Sequence, residues 1–392
     1  TGCQTHVSFL DKEGKVFSWI ALLYGVGCAM LLPIFPNFIK EIVKNEEYVG
    51  YFYSSMSIAM LIAGLSSAWL FKKFSRIRVL KAVFVLCAFS IMFFVFSNTI
   101  YQVLILESLR IFGALIIVGA LALLVRDFTA SKDLAKTEGV YFLYNNIGWF
   151  IGPIIGGIIA RYFGYEPVFA ISGIVFLIAF FYLSKQGFIK NLSKDSKEKS
   201  NATPFLQRFK KFFSNKGLVG AYFVFLGYLT FLSFKSVTLP LFISDKGYAS
   251  DFSGLIMSLS ILPYILVEVP IGKYADKKGL RTPIVCGFAI ISICLFGLKI
   301  APWFLLDAVF LILANTGTAF IEPLYDVYFF KNVSKKDEDE LYGIFFTADP
   351  LGKFLGPLIF SVSVMFMPID WAFFAAGLIF FIAGIFALKI KN

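Results

Sequence analysis

Gly148-Trp149-Phe150-Ile151-Gly152-Pro153-Ile154-Ile155-Gly156-Gly157 lies inside an apolar segment with no charge between Glu138 and Arg161. In water, glycine and proline at this density break a helix. In a bilayer the backbone has no water to turn to, so a spanning segment stays helical and its neighbours absorb the defect. Gly148, Gly152 and Gly156 recur every four residues and share one helix face. A face without side chains lets a second helix approach closely. Pro153 deletes one backbone hydrogen bond and bends the rod there. Glycine spacing alone fits a plain packing groove as well as a groove with a part in function.

The rest of the chain is the same kind of material. Of its 392 residues, 58% are apolar and 49 are phenylalanine, and only 16% are charged, where a soluble domain has about a quarter. With a mean hydropathy of +0.80, this is a polytopic membrane protein. The net charge of +11 is no nucleic-acid signal, because the basic residues sit in short loops between apolar runs, as membrane topology requires. Cys28, Cys87, Cys286 and Cys294 fall in apolar segments and, with Cys3, form no C-x-x-C pair. They read as small apolar packers. A lone histidine, His6, argues against a metal site, an intramembrane histidine relay and a catalytic histidine–carboxylate cluster. No metal or cofactor is expected, and an enzyme is disfavoured. Val16–Phe38 is too long for a cleavable signal peptide and reads as the first span.

A span needs about 20 apolar residues. The spans read are 16–38, 48–71, 79–97, 100–125, 139–160 and 165–184, then 217–243, 252–272, 283–300, 304–330, 342–367 and 371–390. With both termini in the cytoplasm, only Lys40, Lys44, Arg161, Lys246 and Lys299 fall in outside loops, and Arg110, Lys235 and Lys353 within spans; the rest of the 36 basic residues lie inside. Residues 185–216 are polar and lysine-rich and read as a cytoplasmic linker between bundles at 1–184 and 217–392. Phe205, Phe209, Phe212 and Phe213 with Arg208 suit a short amphipathic helix on the membrane surface, or the segment is a loose tether. The sequons at Asn191 and Asn201 would go unused on the cytoplasmic side.

The halves repeat at a gap-free offset of 204 residues, which pairs Tyr24 with Tyr228, Pro36 with Pro240, Gly50 with Gly254 and Gly139 with Gly343. It also pairs Gly148 with Gly352, Gly152-Pro153 with Gly356-Pro357 and Gly173 with Gly377. Coincidence of glycine and proline, where backbone shape matters, is hard to obtain by chance. Six spans per half give both halves the same orientation, a parallel repeat about an axis along the membrane normal, with a substrate site expected near mid-membrane.

The full string G-x-x-x-G-P-x-x-G-G resembles the fifth-helix antiporter motif of the drug–proton antiporter branch of the major facilitator superfamily. The first span, with Pro33 and Pro36 near its outer end, is similar to that branch's opening helix. After span eight, Gly272, Asp276, Lys277, Gly279 and Arg281 resemble the superfamily's G-x-x-x-D-R/K-x-G-R-R loop. The resemblance implies a charged latch that holds the cytoplasmic side closed. The equivalent loop after span two departs from the pattern: Lys72 stands for the aspartate and Ser75 for the glycine. Arg110 with Gly113 matches R-x-x-Q-G in span four only in part, the glutamine being absent. By resemblance, Arg110 lines the central cavity and couples proton movement to substrate. The first span lacks the acid that several multidrug antiporters carry there.

An ionisable side chain inside a span is a functional candidate by its cost alone, about 2.5–3.5 kcal/mol on insertion scales. Glu107 and Arg110 are three apart, Glu322 and Asp326 four apart around Pro323, and Asp349 and Lys353 four apart; Glu268 lies one turn from the inner end of span eight. Each pair is either a structural ion pair or part of proton coupling. Asp307 reads as interfacial. Tyr24, Asn145, Asn146, Trp149, Tyr228 and Lys235 are cavity-lining candidates. Counted from the cytoplasmic ends, Glu322 and Asp349 lie at similar depth. The expectation is that they share the proton site, with Lys353 as counter-charge.

The fold expected is an all-α membrane protein of twelve helices in two six-helix bundles. The function expected is proton-coupled export of small amphipathic, drug-like molecules by alternating access, as a monomer in the cell membrane with substrate, protons and lipid as partners. A proton-coupled uptake symporter of a sugar or organic acid, and a non-transporting sensor on the same fold, are the alternatives.

Overall fold

The computed structural model describes residues 12–128, 134–186, 205–301, 303–335 and 337–390. Cys3, His6, Lys190, Lys194, Lys197, Lys199 and the sequons at Asn191 and Asn201 lie outside these residues. The described chain is helical: Lys12–Ala29 (α1), Phe35–Val43 (α2), Glu46–Lys73 (α3), Arg76–Met92 (α4), Ile100–Phe128 (α5), Leu134–Phe163 (α6), Tyr165–Ser184 (α7) and Phe205–Ser214 (α8). Lys216–Asp245 (α9), Ser250–Leu259 (α10), Leu262–Lys278 (α11), Arg281–Ile300 (α12), Phe304–Asn332 (α13), Glu338–Phe345 (α14), Ala348–Phe366 (α15) and Ile369–Ala387 (α16) follow. Eleven segments among the described residues are long and apolar enough to cross a bilayer, and Gly14–Ala29 is a shorter apolar helix.

Three of the expected single spans are interrupted. The first stops at Ala29 and resumes at Phe35. Pro36 has no N–H for the Leu32 carbonyl and Pro33 none for that of Ala29, so the chain crosses Met30–Ile34 in turns, with Leu32 N–H on Ala29 O at 3.2 Å. The eighth breaks at Ser260–Ile261, ahead of Pro263, and the eleventh at Phe346–Thr347, ahead of Pro350. Pro153, Pro240, Pro270, Pro323 and Pro357 stay inside helices, as lipid permits.

Helix ends follow ordinary chemistry. Ser75 caps α4, its side chain accepting from Arg78 N–H, and Asn215 caps α9, accepting from Gly217 N–H at 2.9 Å. Gly279 ends α11 at φ +92°, a conformation glycine adopts without strain, with its N–H on Ala275 O at 2.9 Å. The linker's aromatic run forms α8. Phe212 is fully buried beside Tyr222 and Phe329, and Lys211 pairs with Asp337 at 2.6 Å. The helix therefore docks on the second half's own helices.

Contacts divide the chain into residues 1–32 with 59–195, and residues 33–58 with 196–392. In the first unit α6 packs along α1, α4 along α5 and α7. A Cβ added to Gly148 would lie 2.6 Å from Leu22 O and 2.9 Å from Val26 N. One on Gly152 would lie 2.9 Å from Val26 O and 3.1 Å from Met30 N, and one on Gly156 would overlap Met30 O. In the second unit α15 packs along α9, α12 along α13 and α16. There a Cβ on Gly352 would lie 3.1 Å from Thr230 N, and one on Gly356 would lie 2.5 Å from Phe234 N and also overlap Thr230 O. Val26 and Thr230, like Met30 and Phe234, are 204 residues apart, so the contacts on Val26 N, Val26 O and Met30 N recur atom for atom, while Gly156 has no counterpart because Phe360 stands at its repeat position. Gly113 on Cys87 and Val83 likewise matches Gly317 on Ile291 and Gly287. The first helices of residues 33–58 join the second unit: Asn37 Nδ2 donates to Pro240 O at 3.2 Å, and Ser54 Oγ to Phe354 O at 2.9 Å.

Gly152→Leu and Gly356→Leu are expected to destabilise the protein by about 1–3 kcal/mol each, the usual cost of overpacking, and to slow transport at least tenfold. Gly139→Ala and Gly343→Ala, where an added Cβ meets nothing within 4 Å, should leave both unchanged. Thermal unfolding in detergent with transport assays checks this. Normal transport in Gly152→Leu would remove the groove from the mechanism.

Candidate functional site

Each unit carries its own polar cluster inside its helices. In the first, α5 presents Glu107 and Arg110 one turn apart, and the guanidinium forks onto the carboxylate. Arg110 Nε donates to Glu107 Oε2 at 2.6 Å, and Nη2 donates to Oε1. Glu107 is 1% exposed, so the pair is largely out of water, where two parallel charge-assisted bonds hold geometry best. Around it, Cys87 Sγ donates to Arg110 O at 3.5 Å and Tyr24 OH to Ala114 O at 3.4 Å. Tyr24 also sets its ring edge-on to Phe176. Trp149 stands beside Gly25, Asn145 is half-buried and Asn146 exposed.

The second cluster spans α9, α11 and α13. Lys235 Nζ donates to Asn315 Oδ1 at 2.7 Å. Tyr264 OH and Thr318 Oγ1 share a hydrogen bond of 2.6 Å. Tyr228 lies near Glu322 and Tyr264 and interacts with both electrostatically, and its ring is 5.5 Å from that of Tyr325. Glu268 and Lys235 both act on Glu322 electrostatically. Asp349 and Lys353 form a separate pair at 2.9 Å on α15, and Asp326 accepts from Tyr342 OH at 3.4 Å.

Glu107 and Arg110 meet as their spacing predicts. Glu322 and Asp349 both act on Tyr325, but they do not share Lys353 as a common counter-charge. Asp349 holds Lys353, while Glu322 has Tyr228 and the field of Lys235. Equal depth fixes height along a helix and leaves the facing direction open. Asp307, expected at the interface, is 3% exposed and its Oδ1 has no hydrogen-bond partner. Asp276 and Lys277 are exposed on the last turn of α11, and Gly272 has open space beside it. Gly157 and Pro153 are buried in α6. The sequence reading missed Tyr264, Asn315, Thr318 and Tyr325. Asn315, Thr318 and Glu322 recur at i, i+3 and i+7, the signature of one polar stripe on an apolar helix, and that spacing is the signal that would have found them.

The chain matches the Major Facilitator Superfamily over residues 17–249 and again over 234–391. It belongs to that superfamily. The protein is thus a membrane transporter, and the double match echoes the internal repeat. An uncharacterized MFS-type transporter of Methanocaldococcus jannaschii is 22% identical over 348 residues, 86% of this chain and 87% of that one. The class B tetracycline resistance protein of Escherichia coli is 24% identical, covering 90% and 88%. Multidrug resistance protein 2 of Bacillus subtilis is 24% identical, covering 90% and 89%. Among solved structures, the nucleoside transporter NupG shares the fold at a TM-score of 0.78 and 15% identity, covering 97% of this chain and all of that one.

Removing one member of the Glu107–Arg110 pair strands a buried charge. Glu107→Gln or Arg110→Met is expected to cost about 3–5 kcal/mol, while the double replacement by apolar residues should come near neutral. Transport should be lost in all three. Arg110→Lys keeps the charge without the fork and should retain little coupled transport. Melting curves beside transport rates separate the two effects, and wild-type rates in Arg110→Lys would reduce the residue to a structural cation.

Proposed function

We propose that this transporter exports small amphipathic molecules in exchange for protons. It does so by alternating access of six-helix bundles at 1–184 and 217–392, joined by a cytoplasmic linker at 185–216. It works as a monomer in the cell membrane with both termini inside. The observation that carries the reading is the α6 groove: a complete G-x-x-x-G-P-x-x-G-G string, seated backbone to backbone on α1. That string resembles the antiporter motif. The resistance proteins among the relatives support the same direction.

Glu322 is the proton carrier in this reading. Glu107 is locked by the Arg110 fork and Asp349 by Lys353. Glu322 instead has no ion pair among the described residues and lies near the Tyr228 phenol. A carboxylate beside neutral donors can change protonation without stranding a paired cation. Arg110, Glu107, Asp326 and Glu268 are secondary coupling candidates. The Asp276, Lys277 and Arg281 loop acts as the latch of the second half.

The test is a panel of aromatic amphiphiles of either charge in proteoliposomes with an acid lumen, beside protein-free vesicles. Exchange predicts accumulation of solute in the acid lumen, abolished by a protonophore; symport predicts the opposite direction. Glu322→Gln should cut gradient-driven accumulation at least tenfold, while Asp349→Asn keeps most of it. If both variants couple as wild type does, the proton travels on Glu107 or Glu268.

A further inference from the structure

The cluster on α9 and α13 has donors left over. An ammonium has no acceptor, so the Asn315 amide must turn its Oδ1 to Lys235. That leaves Asn315 Nδ2 on the other side, buried and with no partner, in a residue that is 0% exposed. Lys235 has spent one of three donors on this bond. Among the described residues no ion pair joins it to an acid, and Glu322 reaches it only through the field. A half-buried cation without an anion and a buried amide N–H without an acceptor are both costly. Their neighbourhood supports a ligand. Glu322 sits seven residues further along α13, about 10 Å of rise away, and Tyr228, Tyr264 and Tyr325 belong to the same cluster.

We propose that Lys235 Nζ and Asn315 Nδ2 form a subsite for a carboxylate on the transported molecule. One ammonium suits one negative charge, and ammonium plus amide suit two oxygens on one carbon; a phosphate dianion would call for a second cation. The aromatic body of such a molecule would lie along the tyrosines, with Glu322 selecting against a second anion. This rests on the reading of the protein as an exporter of amphipathic molecules, and it names their class.

The test uses the full chain in detergent with three probes of one shape: 2-naphthoate, its methyl ester and 2-naphthylmethylammonium, measured by equilibrium dialysis. Naphthoate should bind at least tenfold more tightly than the ester. Lys235→Met and Asn315→Leu should erase that preference, and Lys235→Arg, which keeps a cation, should retain it. Melting temperatures confirm that each variant is folded. Equal binding of naphthoate and ester by wild type, or an intact preference in folded Lys235→Met, overturns the subsite and makes the Lys235–Asn315 bond a structural tie. Binding in detergent needs no gradient. A carboxylate preference without gradient-driven movement would therefore sink the export reading and keep the subsite, and export without the preference would sink the subsite alone.

Discussion

Backbone laid against backbone, where glycine leaves no side chain, is the contact on which the rest of this protein depends. Between helices in lipid there is no hydrophobic drive to association, because the tails are as apolar as leucine. Close van der Waals packing and interhelical hydrogen bonds must supply it. Gly148, Gly152 and Gly156 bring α6 within touching distance of α1, and Gly352 and Gly356 do the same for α15 and α9. Ser233 adds a polar tie, its hydroxyl donating to the Gly352 carbonyl at 2.8 Å. With these axes fixed, Tyr24 and Tyr228 stand at matching positions on α1 and α9, each within a polar cluster.

The clusters differ in how their charges are held. Arg110 and Glu107 satisfy each other within one helix and behave as a single neutral, rigid unit. Lys235 and Glu322 are each met by a neutral group, an amide and a phenol, so neither charge is fixed by an opposite one. Opposite charges a short distance apart but not in contact can be drawn together or screened at small cost. A locked pair must first be broken.

Much of this was legible in the sequence. Four-residue glycine spacing gave the packed face of α6, and the offset of 204 pointed to the partner of α15 once that of α6 was known. The i, i+3 spacing of Glu107 and Arg110 sufficed for their ion pair, because both ends lie on one helix. The interruptions at Met30–Ile34, Ser260–Ile261 and Phe346–Thr347 were not read, since other prolines in the same chain, such as Pro153 and Pro323, leave their helices continuous. Whether a proline breaks a span depends on what satisfies the freed carbonyl, and that is a tertiary matter. The partners of Glu322 were likewise hidden. Tyr228 is 94 residues away on another helix, and periodicity gives the face a residue occupies without saying which helix it meets.

The recurrence of helix contacts at 204 residues does not extend to the charges inside the spans. Counting the same distance, Glu107 falls on Leu311, Arg110 on Ala314, Lys235 on Leu31, Glu322 on Val118, Asp349 on Asn145 and Lys353 on Trp149. Duplication preserved the frame and left the ionisable groups to diverge. The frame is held by glycines against main chain, and the charges are side chains at other positions. One set can therefore be rewritten without disturbing the other. A lineage built this way can change its cargo by swapping a few side chains while its architecture stands still. In such a protein evolvability is a property of the helix packing itself.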